Sequence, residues 1–250
     1  MRSLRLDLKK YDSDKIGSRY LERYDPVFEP FLDKKITLLE LGVYKGGSLL
    51  LWRDYFPLGT IVGIDIKLPE DLQDFDRICV FEGSQADTRF LSRVANETAS
   101  EGFDIIIDDA SHLGELTKEA FWHLFDTHLK PGGLYVIEDW GTGYWGDWPD
   151  GRSLDLDVYS RKGLARRLIH SPLWSELARK LLPKSPWPCH SYGMVGFIKQ
   201  LIDEQGAADV TRRNLRGNAE RASRFESMVI TPSIVFIKKA TPCLPQIGDL

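Results

Sequence analysis

ELGVYKGGS (residues 40–48) decides the fold. It joins an apolar run with a β-branched start, ITLLELG (36–42), to GGSLLLWRDYF (46–56), whose spacing predicts a helix. Glycines at such a strand–helix corner let the backbone approach a ligand and leave helix N–H donors open to it. Downstream the same alternation repeats. TIVGIDI (60–66) and ICVFEG (78–83) read as strands and TRFLSRVANETA (88–99) as a helix. FDIIIDDASH (103–112) is a fourth strand running into an acidic turn, 114–129 a helix, and an LKPGG turn (129–133) leads into strand LYVIEDW (134–140). Strands alternating with helices at this spacing predict an α/β fold, a doubly wound, mostly parallel sheet with helices on both faces. Near-continuous apolar runs suit strands covered on both sides.

Outward from that frame, residues 1–35 form a polar and aromatic N-terminal helical segment punctuated by Pro26 and Pro30. WGTGYWGDWPDGR (140–152) reads as a long loop, and 158–182 as two short basic helices, the second opened by Ser171-Pro172. A helix covers about 192–205. FESMVI (225–230) and SIVFIKK (233–239), split by Thr231-Pro232, predict a closing antiparallel pair, and 240–250 an irregular tail. The chain shows no internal repeat. It reads as one domain, 1–250, with a lid or insertion over 140–190.

The 250 residues carry 33 Lys+Arg against 37 Asp+Glu, and 42% are hydrophobic, too many for a disordered chain. No stretch reaches the roughly 18 apolar residues of a membrane span, and the polar N-terminus lacks a secretory core. Cys79, Cys189 and Cys243 form no C-x-x-C pair, which predicts free thiols and a cytoplasmic location. Charge is uneven: residues 1–158 carry 18 basic and 30 acidic groups, residues 159–250 carry 15 and 7. The acidic part points to nucleotide or metal chemistry and argues against a nucleic-acid partner, as does the lack of a D/N-P-P-Y-type tetrapeptide.

The dinucleotide fingerprint G-x-G-x-x-G fails at Tyr44, which argues against NAD. The spacing is instead E-x-G-x-x-x-G, with Glu40 two residues before Gly42, and suits a ligand with a cationic amino-acid end and no pyrophosphate. Asp65 ends the second strand and is placed to accept hydrogen bonds from ribose hydroxyls. These features resemble the class I S-adenosylmethionine-dependent methyltransferases: ELGVYKGG matches their first motif, GIDI (63–66) their second, the Asp-rich fourth strand and LKPGG turn their later ones. The resemblance covers about residues 12–240. It implies seven strands in the order 3-2-1-4-5-7-6, strand 7 antiparallel. It also implies Gly42, Gly46 and Glu40 near the methionine moiety of the cofactor, and Ser84, Gln85 and Asp87 near its adenine.

Asp108, Asp109 and His112 follow the fourth strand; Glu138 and Asp139 end the fifth. Carboxyl ends of neighbouring strands share one crevice, so four carboxylates and an imidazole are expected to converge there. Unpaired carboxylates repel, a divalent cation removes the conflict, and oxygen ligands favour Mg²⁺ or Mn²⁺. A metal lowers the pKa of a bound hydroxyl, and His112 suits the general base. D-D-A-S-H followed by V-I-E-D-W-x-x-x-Y-W resembles the metal-dependent sugar O-methyltransferases of macrolides and related glycosides, as do DKIGSRYLERYDPVFEPF (14–31) and LLLWRDYFP (49–57). That resemblance assigns the metal to Asp109, Glu138 and Asp139, the base to His112, and Asp108 to the cofactor's neighbourhood or the ligands' support. The chain departs from the group at Ala110, where Gly is usual, and at Arg19, where relatives often carry His.

Trp140, Tyr144, Trp145 and Trp148 crowd the loop after the fifth strand and offer stacking faces for a sugar or a phenol. The basic segment 158–184 has an amphipathic stripe that suits an active-site cover, a dimer interface or contact with a membrane surface. The leading expectation is an S-adenosylmethionine-dependent, Mg²⁺-assisted O-methyltransferase acting on a glycosyl hydroxyl of a small molecule, and family analogy implies a homo-oligomer. A catechol-like phenol acceptor needs the same carboxylates and stays open at this point, as does a non-catalytic nucleotide-binding module of the same fold.

Overall fold

The computed structural model describes residues 1–69, 75–152, 192–212, 214 and 216–241. The basic helices expected over 158–182, the stripe of 158–184, Cys189, Cys243 and nearly all of the tail lie outside those residues. The N-terminal segment is two 3-10 turns, a short helix α1 (Asp14–Gly17), helix α2 (Leu21–Phe28) and a further 3-10 turn (Glu29–Phe31). α2 stops two residues after Pro26, and Pro30 sits in the turn that follows.

The repeating units then appear as β1 (Thr37–Leu41), α3 (Gly47–Tyr55), β2 (Thr60–Asp65), β3 (Ile78–Glu82), α4 (Thr88–Thr98), β4 (Phe103–Asp108), α5 (Gly114–Thr127) and β5 (Leu129–Glu138). α6 (Gly193–Gln205), α7 (Ala207–Arg212), β6 (Phe225–Ile230) and β7 (Ile234–Lys239) complete them. The seven strands lie in the order β3-β2-β1-β4-β5-β7-β6. Pairs from β3 to β5 are parallel, and β7 is antiparallel to both β5 and β6. The expected fold is therefore present in detail. The largest boundary shift is in β5, which begins at Leu129, because the KPGG turn is held as an irregularity between the Phe103–Leu129 and Ile105–Leu134 pairings.

Alternation along each strand divides the core into two layers. Leu39, Leu41, Val62, Ile106, Tyr135 and Ile137 face α4, α5 and α6; Leu38, Ile61, Ile105, Ile107, Leu134 and Val136 face α2 and α3. The second layer is unusually aromatic: Tyr24, Phe28, Trp52, Tyr55 and Phe56 pack edge-on or tilted. It fastens the N-terminal segment against the sheet, next to the carboxyl ends of β1, β4 and β5.

Candidate active site

The same alternation sorts the acidic residues. Glu40 and Glu138 continue the face of Leu38 and of Leu134 and Val136, toward the N-terminal segment and α3; Asp108 continues the face of Ile106. The four carboxylates expected to converge therefore separate. Asp108 leaves the group and Glu40 joins it.

Asp108 is buried, with Oδ1 accepting from Gln85 Nε2 (3.4 Å) and Oδ2 from the Tyr135 hydroxyl (3.4 Å). Burial pushes its carboxyl up to about 7, against the pull of hydrogen bonds from the Ala110 N–H, Tyr135 and Gln85. Gln85 Oε1 also accepts from Ser111 N–H (3.0 Å), so Gln85 ties the loop after β3 to the turn after β4.

On the opposite face one lysine holds three carboxylates. Lys15, the second residue of α1, has a fully buried ammonium. Its Nζ lies 2.5 Å from Asp109 Oδ2, 2.9 Å from both oxygens of Glu138 and 3.4 Å from Glu40 Oε1. Burial alone would lower its pKa, but Glu138, Asp109 and Glu40 raise it well above the usual lysine range. Burial raises the carboxyls of Glu138, Asp109 and Glu40, and for Glu138 the nearby Asp109 raises it further. Glu40 also accepts from Ser48 Oγ (2.7 Å) and Trp52 Nε1 (3.2 Å), and Glu138 from the Tyr24 hydroxyl.

The open side of this cluster faces a cleft of about 1050 Å³. Asp109, His112 and Asp139 each bring one ligand atom to its wall, all within 4.8 Å of one another. His112 Nε2 lies 3.7 Å from Asp109 Oδ1 and 4.0 Å from Asp139 Oδ2. His112 (φ 50°) and Asp139 (φ 52°) both hold left-handed backbone, a strained state that persists where the surroundings fix it. Here the His112 carbonyl accepts from Trp148 Nε1 (3.0 Å) and Thr142 Oγ1 (3.3 Å), and Asp139 Oδ1 from the Tyr20 hydroxyl.

Gly42, Asp65, Ser84 and Gln85 also line the cleft. Asp65 Oδ2 accepts from the N–H groups of Val43 (2.7 Å) and Tyr44 (2.9 Å), and Oδ1 from Lys67 N–H (3.1 Å), which fixes its carboxylate at the cleft edge. Gly42 (φ +91°) is required by packing as well: a Cβ there would lie 2.0 Å from the Asp109 carbonyl oxygen. Glu40, Gly46, Asp87, Asp108 and Glu138 are not on the cleft wall. Gly46 is the N-cap of α3, Asp87 caps α4 by accepting from Arg89 and Phe90 N–H (3.1 and 3.0 Å), and the cation beside Glu40 is Lys15. Of the aromatic quartet, Trp140 Nε1 donates to the Thr231 carbonyl (2.9 Å), Trp148 packs beside His112, and Trp145 is half exposed.

Three site residues escape the motif reading: Lys15, Tyr20 and Tyr24. The signal was a lysine followed by tyrosines one helical turn apart, inside a stretch, 14–31, that the sequence marks as family-like without a role.

No family model matches the chain. It is 34% identical over 226 residues to mycinamicin VI 2''-O-methyltransferase of Micromonospora griseorubida, covering 79% of this chain and 55% of the relative. It is 32% identical over 221 residues to demethylmacrocin O-methyltransferase of Streptomyces fradiae, with the same two coverages. Among solved structures, the mycinamycin-pathway methyltransferase MycE, in complex with Mg, SAH and mycinamycin VI, aligns over 98% of this chain and 57% of its own at 27% identity, TM-score 0.61. The chain thus spans about half the length of these relatives. Strand order, the glycine corner with Asp65, and these sequence relationships together place the chain in the class I S-adenosylmethionine-dependent methyltransferase family, with macrolide sugar O-methyltransferases among its relatives.

Proposed function

We propose that this chain methylates a hydroxyl on a sugar of a glycosylated natural product, using S-adenosylmethionine and a divalent cation, Mg²⁺ or Mn²⁺. The observation that carries the reading is the meeting of Asp109, His112 and Asp139 within 4.8 Å, on the wall of the cleft that also holds Gly42 and Asp65.

The donor chemistry fits a hard cation. Asp109, Asp139 and Glu138 would hold it, with Glu138 sharing its oxygens with Lys15. Bound there, such an ion would lower the pKa of the acceptor hydroxyl, and the cofactor would supply the methyl group. The chain's own residues do the rest. Asp65 takes the ribose end of the cofactor, with Ser84 and Gln85 beside the adenine. His112 Nε2, 3.7 Å from Asp109 Oδ1 and with its residue's carbonyl held by two hydrogen bonds, accepts the hydroxyl proton. Trp148, whose ring lies beside that of His112, offers a face for the sugar. Holding acceptor and cofactor in line carries much of the rate. The names of the relatives favour sugar hydroxyls over phenols. The same reading keeps one domain and a homo-oligomer in the cytoplasm; most of the lid expected over 140–190 lies outside the described residues. Among the described residues no helix is long and apolar enough to cross a membrane.

Calorimetric titration with S-adenosylhomocysteine, with and without Mg²⁺ and with NAD as control, tests the cofactor. A glycoside screen with methyl-labelled cofactor then tests the acceptor. Saturable binding, silent NAD and label transfer abolished by EDTA are expected. Full activity in EDTA removes the metal, and no binding at all removes the enzyme.

A further inference from the structure

Resting on the reading just given, in which a divalent ion is held by Asp109, Glu138 and Asp139, we propose that Lys15 is the protein's own counter-cation in that site. It stands at the inner wall of the cleft, pairs there with Asp109, Glu138 and Glu40, and leaves Asp139 and the outer oxygen of Asp109 to the ion.

The Lys15 ammonium donates to Asp109 at 2.5 Å and Glu138 at 2.9 Å, and forms an ion pair with Glu40 at 3.4 Å. No water competes, since the Lys15 and Glu138 side chains are fully buried. A buried carboxylate without a cation is costly, and Glu40 is fully buried and does not line the cleft. Lys15 serves Glu40 directly. It also divides Asp109: Oδ2 goes to Lys15, while Oδ1 turns toward His112, 3.7 Å away. One positive charge among three carboxylates leaves negative charge over, and the open donors Asp109 and Asp139 present it to the cleft. The lysine is delivered by a strap docked on the glycine corner, where Asp12 packs against Gly47 and Ser13 caps α1. Lys15 therefore acts through the carboxylates, as a positioning residue, and its charge also weakens the site's grip on the ion.

The test uses the full chain stripped of metal, without substrate. Mn²⁺ binding is followed by electron paramagnetic resonance, and thermal unfolding is measured in EDTA. Lys15→Met is expected to bind Mn²⁺ more tightly, on the order of tenfold or more, because a repelling charge has gone. In EDTA it should melt about 10 °C lower, and adding Glu40→Gln should recover much of that loss by removing a buried carboxylate left without its cation. A lysine that merely ties the segment down would leave Mn²⁺ affinity unchanged or weaker, and either result overturns the proposal. If Lys15→Met does not fold, the same Mn²⁺ comparison between Lys15→Met/Glu40→Gln and Glu40→Gln decides it. If the unaltered chain takes up no Mn²⁺, the metal reading falls; the EDTA melts then decide the counter-charge, with recovery by Glu40→Gln supporting it and its absence overturning it.

Discussion

Gly47→Ala sets two physical effects of opposite sign against each other. Gly47 opens α3 with ordinary backbone, so alanine there costs no left-handed strain. By helix propensity and unfolded-chain entropy alone, the change should stabilise the protein by roughly 0.5–1 kcal/mol. The structure predicts the reverse. A Cβ at Gly47 would lie 2.0 Å from the Asp12 carbonyl oxygen and 2.4 Å from its carbon, and the obstacle is backbone rather than a side-chain tip. The strap must retreat by roughly 1 Å to restore van der Waals contact. Overpacking of this kind costs about 1–3 kcal/mol, and a backbone clash this close belongs to the middle or upper part of that range, which leaves a net loss of about 1–2 kcal/mol. For a chain of this size that is a fall in Tm of about 2–8 °C. Lys15 lies three residues beyond Asp12 and holds partners at 2.5–3.4 Å, so the retreat also pulls its ammonium out of hydrogen-bonding range. Turnover should then fall about 10²-fold, the usual cost of a 1 Å misplacement near a reacting centre. Urea unfolding, thermal melting and limited proteolysis within residues 1–20 measure these effects. A Gly47→Ala protein as stable as the parent, with no new cleavage near the N-terminus, would refute the view that the glycine corner is built to seat the strap.

Other changes separate the parts of the site and the scaffold. Asp65→Ala should weaken S-adenosylhomocysteine about tenfold or more by calorimetry, since charge-assisted bonds are lost, while Mn²⁺ binding holds; equal loss of both would merge the two sites. His112→Ala should lower kcat by about 10²–10⁴ with cofactor affinity unchanged, and a matching fall in affinity would recast His112 as a binding group. Glu204 links α6 to the approach to β6, accepting from Arg221 Nη1 and Nη2 (2.8 and 2.7 Å) and from Arg224 Nε (3.3 Å). Burial tends to raise its carboxyl, but these arginines pull it from 4.5 to about 2. A lowered carboxyl contributes stability above its unfolded pKa and loses it as pH falls from about 4.5 to about 2. Both arginines are half exposed, so screening reduces the contribution to about 1–2 kcal/mol. Glu204→Gln should be destabilised by that amount at pH 7, and the gap should close across that acid window in chemical denaturation; a gap that persists at pH 2 refutes the assignment.

The fold was legible because it depends on patterns the sequence carries locally. Apolar runs at 36–42, 60–66, 78–83 and 103–108, each followed by a turn or helix, leave few ways to build a sheet. Crossover handedness and the antiparallel ending leave fewer. The boundary that moved, at Leu129, depends on pairing across strands: Lys130–Gly133 look like a turn until Leu129 finds Phe103. Local chemistry cannot report that partner.

Strand parity was also available in the sequence, and it would have separated Asp108 from Asp109. Adjacent residues at the end of a strand face opposite layers, so a D-D pair cannot put both carboxylates in one crevice unless the chain turns between them. Ile105 and Ile107 already mark the layer that Asp109 inherits, and Ile106 marks that of Asp108. Lys15 was different in kind. Ninety-four residues separate it from Asp109, and nothing in D-K-I-G distinguishes a solvated lysine from a buried one. The clue is an imbalance: parity sends Glu40 and Glu138 into an aromatic layer, and buried carboxylates require a cation from somewhere. Within the described N-terminal segment, Lys15 has an ammonium fully withdrawn from water, and it is flanked by the two tyrosines that bond to Glu138 and Asp139. A charge count by sheet face, made before any motif is consulted, would have asked for that lysine.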